Sequence, residues 1–147
     1  MKKPLLISAC LLGAPCRFDG NSVPRMSFSE LSERYELIPV CPEIYGGLPT
    51  PRVPSERRGE RVVMADGTDV TENFSRGARV TVDFARAYGA GAALLKERSP
   101  SCGHGEIYDG SFTKTLTAGN GVAAEALILQ GVKIFGESEI KKLLSEY

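Results

Sequence analysis

The sequence predicts an α/β fold: one three-layer, Rossmann-like domain over residues 1–147, with a short parallel sheet and a ligand site at the carboxyl ends of its strands. Three observations predict it. Four short apolar runs, at residues 5–7, 36–40, 92–95 and 132–135, alternate with segments of helical character, which argues for parallel strands covered on both faces. A chain of 147 residues has the length of one domain, and at that size it buries roughly two-thirds of its unfolded surface and folds without a disulfide or metal staple. Its composition, 42% hydrophobic and 24% charged, is that of an ordinary globule.

The first strand, Leu5-Leu6-Ile7, is bounded by Pro4 and a Ser-Ala-Cys loop. Ser27 and Glu30 stand at capping-box spacing and open a helix that carries Leu31 and ends near Tyr35. The second strand holds Pro39, which suits an edge because proline donates nothing to a ladder, and it runs directly into Cys41-Pro42-Glu43. Residues 46–59, GGLPTPRVPSERRG, read as a loop, and residues 61–70 as a hairpin turning at Asp66-Gly67. Thr71 is expected to cap the longest helix, on which Phe74, Ala78, Thr81, Val82, Ala85 and Tyr88 share a face. Gly77 inside that helix costs about 1 kcal/mol relative to alanine, which implies close packing or a local irregularity. Gly89 and Gly91 end it ahead of the third strand, Ala92-Ala93-Leu94-Leu95. A second glycine-rich loop, KERSPSCGHGEIYDGSF, precedes a helix with Val122, Ala123, Ala126 and Leu127 as its buried stripe and Gly131 as its stop. The fourth strand and a closing helix over 138–145 complete the chain.

Eighteen basic residues balance eighteen acidic ones, so no global field gathers a polyanion, and nucleic acid is the less favoured partner. The N-terminal apolar run is far too short for a signal peptide and nothing approaches a membrane span, so a cytoplasmic chain with no membrane partner is expected. In that reducing compartment four cysteines point to metal binding or catalysis sooner than to disulfides.

Open parallel sheets bind ligands beyond the carboxyl ends of their strands. Cys10 follows the first strand, Cys41 the second, and Cys102 lies in the loop after the third, so three cysteines far apart in sequence arrive at one sheet edge. A phosphatase-type reading of ISACLLGAPCRFDG is weak, because the Cys10–Arg17 spacing is one residue longer than Cys-x5-Arg and Pro15 has no N–H to give a phosphate. Zinc favours paired Cys-x2–4-Cys units, and the only tight pair is Cys102-Gly103-His104, whose histidine reads as a surface loop residue. An iron–sulfur cluster fits better: thiolates from three loops rich in Gly, Pro and Ser can wrap a bulky inorganic core and offer it backbone N–H groups. Three thiolates on a four-iron cube would leave one iron open as a Lewis acid.

ISACLLGAPCRFDG, VCPEIYGGLPTPRVPSE, TENFSRGA and LLKERSPSCGHGEIYDGSF, in that order, make the chain resemble the thiouracil desulfidases from Ile7 to the helix after Gly121. The departure in these motifs is Phe18, where tyrosine is expected. The resemblance implies a 4Fe–4S cluster held by the three thiolates of Cys10, Cys41 and Cys102, with one iron open to the substrate's sulfur, and Glu43 with Ser101 as the catalytic acid/base pair. The implied reaction is the non-redox desulfuration of a thiolated pyrimidine, thiouracil giving uracil and hydrosulfide. Glu43, assisted by Ser101, takes a proton from water, water attacks the thiocarbonyl carbon, and the sulfur passes to the cluster. Cys16 could replace one of these ligands, sit near the cluster as a persulfide carrier or merely pack in the loop; the non-ligand reading is favoured, because one open iron needs only three protein thiolates.

The expected partner is a small thiolated pyrimidine, and a homodimer is compatible with the sequence. Two alternatives stand beside this reading. One is a zinc- or cluster-binding accessory module that handles sulfur without catalysis; the other is a desulfidase acting on thiolated RNA, although RNA contacts usually need a basic surface. Glu43 could instead cap backbone donors after Pro42, and Ser101 could serve a turn. Asp19 and Asp109, each before glycine, read first as turn formers. Lys96 suits either an anionic ligand or solvent, and Arg52, Arg57, Arg58 and Arg61 read as a solvated loop offset by Glu56 and Glu60.

Overall fold

Leucine and alanine runs with no polar alternation need cover on both faces, and the first of them lies at the middle of the molecule. The computed structural model describes residues 1–20 and 29–147, so the expected Ser27 cap lies outside the described residues. The elements run β1 (Lys3–Ser8), a 3-10 turn (Ala9–Leu12), α1 (Ser29–Arg34), β2 (Tyr35–Val40), α2 (Pro42–Tyr45), β3 (Ser55–Arg58), β4 (Arg61–Met64) and α3 (Thr71–Tyr88). They continue with β5 (Ala92–Leu95), β6 (Glu106–Tyr108), β7 (Leu116–Ala118), α4 (Val122–Leu129), β8 (Lys133–Gly136), a 3-10 turn (Glu137–Glu139) and α5 (Ile140–Glu146).

Four strands form a parallel sheet in the order β2-β1-β5-β8. The register pairs Leu5 with Leu37, Leu6 with Ala93, and Leu94 with Phe135. Pro39 sits on β2, an edge strand, where its missing N–H costs the ladder least. On one face Leu6, Ala93, Leu95 and Ile134 pack with Val82 and Ala85 of α3 and Ala124 and Leu127 of α4. On the other, Leu5, Ile7, Leu94 and Phe135 meet Leu31 of α1 and Leu143 of α5. Each fully buried leucine of these layers contributes roughly 1.5–3 kcal/mol, so the two faces together hold the sheet. The chain steps from β1 to one side (β2) and later returns to its other side (β5), which makes the carboxyl edge between β1 and β5 the switch point of the topology.

Several expectations need correction. The hairpin is β3 with β4, and it turns at Gly59-Glu60, so its first strand lies inside the segment read as a loop. Asp66-Gly67 makes a second reversal, with Gly67 N–H on the Met64 carbonyl at 2.9 Å and Val63 bridged to Asp69. The second glycine-rich stretch holds β6, paired antiparallel with β7. Thr71 is not the cap of α3: Val70 occupies that position, and the Thr71 hydroxyl accepts from Val62 N–H at 2.9 Å, tying the helix start to β4. Tyr88 is 49% exposed and stacks beside Phe84, while α4 buries Ala124 where Ala126 was expected. The closing helix begins with its 3-10 turn, whose Glu139 carboxylate accepts from Gly136 N–H at 2.9 Å.

Gly77 does mark close packing. A Cβ there would lie 1.9 Å from the Pro42 carbonyl oxygen, and one on Gly46 would lie 2.0 Å from that of Asn73. Asn73 also donates its side-chain amide to the Gly46 carbonyl at 2.9 Å. Two glycines thus let the short helix α2 lie flush on α3, which fixes the residues just after β2. Among the described residues no helix is long and apolar enough to cross a membrane.

Candidate functional site

Three strands, β1, β2 and β5, each lead into a turn that brings a cysteine to the carboxyl edge of the sheet. After β1, the 3-10 turn carries Cys10 and closes at Gly13, whose φ of 98° favours glycine and whose N–H reaches the Cys10 carbonyl at 3.1 Å. After β2, Cys41 precedes α2, which starts with Pro42 at a position where a missing N–H is harmless. After β5, the Ser101 carbonyl accepts from Ala123 and Ala124 N–H at 2.9 and 3.1 Å, seating Cys102 against the start of α4.

These turns surround a cavity of about 650 Å³. All four cysteines, Glu43 and Ser101 line it, so the structure brings every expected site residue to one place. Phe18, Tyr108 and Phe112 form an aromatic part of the wall. Among the described residues, the non-glycine positions with left-handed φ, Arg98 (66°), Phe112 (59°) and Lys114 (60°), all line it as well, the kind of local strain that gathers at ligand sites. His104 is exposed and off the wall.

All four cysteines are free thiols. Burial pushes Cys10 up to about 11, with the Cys41 charge adding and Lys96 opposing. Burial likewise pushes Cys102 up to about 12, against hydrogen bonds from the Ser8 and Ser101 hydroxyls. A hydrogen bond between the Cys16 and Cys41 thiols sets the other two apart: it holds Cys16 strongly protonated and lowers Cys41. Cys41 Sγ also lies 3.9 Å from the Cys16 carbonyl oxygen. Among the described residues no three Cys, His, Asp or Glu side chains converge to hold a single metal ion. The thiols instead line the wall of a void, a donor set suited to a core of several atoms.

The catalytic pair predicted from sequence is in direct contact, with Ser101 Oγ donating to Glu43 Oε2 at 2.9 Å. A family model described as 2-thiouracil desulfurase matches residues 5–139. The chain belongs to the 2-thiouracil desulfurase family. A solved structure of the 4Fe–4S-dependent thiouracil desulfidase TudS superposes with a TM-score of 0.93 at 44% identity, over 97% of this chain and 96% of that one. An uncharacterized protein of Bacillus subtilis (strain 168), YbbK, is 37% identical over 150 residues, 95% of this chain and 99% of its own.

In this member of the 2-thiouracil desulfurase family, two of the four loop arginines expected to be solvated, Arg52 and Arg57, bury their side chains instead. Arg52 is not solvated: its side chain is 3% exposed and pairs with Glu43 Oε1 at 3.0 Å. Arg57 donates to the Asn120 carbonyl at 2.7 Å and pairs with Glu125, and Arg58 donates to the Gly110 carbonyl at 2.7 Å. Arg58 is nonetheless exposed, and Arg61 is 70% exposed and paired with Asp69, so these two fit the solvated reading. Lys96 lines the cavity and pairs with Glu137 at 2.9 Å. Asp109 does shape a turn, accepting from Ser111 N–H at 2.9 Å. Ser99, which no spacing flagged, hydrogen-bonds to Ser101 at 2.9 Å.

Proposed function

We propose that this protein removes sulfur from thiouracil, giving uracil and hydrosulfide, by hydrolysis at a 4Fe–4S cluster that the thiolates of Cys10, Cys41 and Cys102 hold with one iron open. The observation that carries the reading is the Ser101–Glu43 hydrogen bond, facing the same cavity as the thiols in a chain of the 2-thiouracil desulfurase family. When bound, the cluster supplies a Lewis-acidic iron for the thiocarbonyl sulfur. The rest is the work of side chains. Glu43 takes the proton of the attacking water, with the Ser101 hydroxyl between them, and returns it as the C–S bond breaks. Water adds its oxygen to carbon, one of its protons leaves with sulfur as hydrosulfide and the other goes to solvent, so no electron donor is needed. Phe18, Tyr108 and Phe112 offer flat apolar surface to a pyrimidine.

The whole of residues 1–147 acts as one desulfidase domain in this reading, in the reducing cytoplasm, where four free thiols persist. The test is iron and acid-labile sulfide per chain after anaerobic reconstitution, followed by thiouracil. Four of each per chain, with hydrosulfide and uracil released in equal amounts, is the expected result. Zinc alone, or four free thiols with no metal, would sink the desulfidase and leave an accessory module.

A further inference from the structure

The hydrogen bonds around Glu43 and Ser101 have a direction, and two residues outside that pair set it. Ser99 Oγ accepts from the N–H groups of Ser101 and Cys102, at 3.1 and 3.0 Å. Both of its lone pairs are then in use, so its own proton goes to Ser101 Oγ at 2.9 Å. Ser101, receiving that proton on one side, has Glu43 Oε2 at 2.9 Å and Cys102 Sγ at 3.7 Å as acceptors, and its hydrogen turns to the nearer, charged carboxylate oxygen. The relay therefore runs from Ser99 through Ser101 to Glu43.

At the far end, Arg52 occupies the other carboxylate oxygen. Its Nε and Nη2 donate to Glu43 Oε1 at 3.1 and 3.0 Å. The remaining N–H groups reach the Cys16 carbonyl, the Pro49 carbonyl and Thr50 Oγ1, each at 3.0 Å. All five guanidinium donors are satisfied, and the side chain is 3% exposed, so none is left over to grip an anionic substrate. Arg52 instead ties the turn carrying Glu43 to the loop carrying Cys16, and its own N–H is bound to the Phe18 carbonyl.

We propose that Arg52 and Ser99 are positioning residues that clamp Glu43 and Ser101 from opposite ends, so that Oε2 alone exchanges a proton with the Ser101 hydroxyl. The proposal rests on the desulfidase reading and adds to it the residues that orient the base. Without the clamp the Glu43 side chain is free to swing as a whole out of reach of its serine, and misplacement by about 1 Å costs a reaction on the order of 100-fold.

The experiment compares anaerobically reconstituted wild type with Arg52→Lys, Arg52→Ala, Ser99→Ala and Ser99→Thr, reading iron, sulfide, KM for thiouracil and kcat for hydrosulfide release. The expected result is a kcat lowered roughly 100-fold in Arg52→Lys and Ser99→Ala, with KM and cluster content unchanged. Free guanidinium should restore Arg52→Ala, and the hydroxyl of Ser99→Thr should restore most of the rate. A crystal structure of Arg52→Lys should show Glu43 turned out of hydrogen-bond reach of Ser101. Wild-type kcat in both Arg52→Lys and Ser99→Ala, or a rate that falls only in step with lost iron, overturns the clamp. A wild-type protein that carries a cluster but releases no hydrosulfide overturns the desulfidase reading itself, a result the variants do not mimic.

Discussion

Ser101 donates to Glu43 at 2.9 Å although the two stand 58 positions apart in the chain. Their strands, β5 and β2, are not neighbours; β1 runs between, so the bond spans the carboxyl end of β1 just where Cys10 begins its turn. A pair assembled in this way depends on the whole sheet being in register. Removing either partner should therefore act on the chemistry and leave the thiols in place. Ser101→Ala and Glu43→Gln should each lower hydrosulfide release by about 100-fold or more at unchanged iron content. Because the two act as one unit, the double variant should be no slower than Glu43→Gln alone. Rates that multiply would show two independent groups.

Cysteine substitutions sort the ligands. Cys10→Ser, Cys41→Ser and Cys102→Ser should each fail to hold four irons after anaerobic reconstitution, while Cys16→Ser should hold them. Iron and sulfide analysis decides it. Loss of the cluster in Cys16→Ser would mean that the wrong three had been chosen.

Thiol ionisation gives the cluster-free protein a pH signature. Unfolded, Cys10 and Cys102 lose their protons near the ordinary 9.0; folded, they keep them to about 11 and about 12. In that window the unfolded chain binds fewer protons, so stability falls as pH rises, having been fully present below pH 9.0. For Cys10 the loss is on the order of 2–3 kcal/mol. Urea denaturation of reduced, metal-free protein across this range measures it, and Cys10→Ala should flatten its share. Cys41, lowered by the Cys16 thiol, should be the first cysteine alkylated by iodoacetamide as pH is raised.

Gly77→Ala tests the seat of α2. In an exposed helix the change would stabilise by about 1 kcal/mol. Here the new methyl would lie 1.9 Å from the Pro42 carbonyl, a backbone atom that no rotamer change can move aside. Net destabilisation of roughly 1–3 kcal/mol is expected, read as a lower Tm. Since α2 carries Glu43, kcat should fall as well.

The sheet was legible because its two central strands carry short apolar runs, Leu5-Leu6-Ile7 and Ala92–Leu95, and Leu5, Leu6 and Ala92 are buried as such runs require. The site was legible to the extent that strand ends deliver residues: Cys10, Cys41 and Cys102 follow β1, β2 and β5 directly or by one loop. What escaped lacked a local signal. The strand Ser55–Arg58 is polar and forms because β4 pairs with it, and the three-residue strands β6 and β7 are too short for a period to show. Arg52 escaped because a guanidinium in a Pro- and Gly-rich loop looks the same whether it meets water or a buried carboxylate. Its partner, nine residues earlier on another element, is a tertiary fact. Ser99 was hidden for a simpler reason: its role lies in which lone pairs are taken, and that is decided only when the loop has folded.

The central position of β1 also sets an order of events on the ribosome. The first cysteine turn is made early, yet the strand beneath it has an open side until β5 has been synthesised and slotted in. Cys102 comes later still, and its turn is braced by α4 beyond it. A nascent chain ending before Ala92 therefore presents scattered thiols and no container. The cavity those thiols share is complete only once β5 and α4 have both been made.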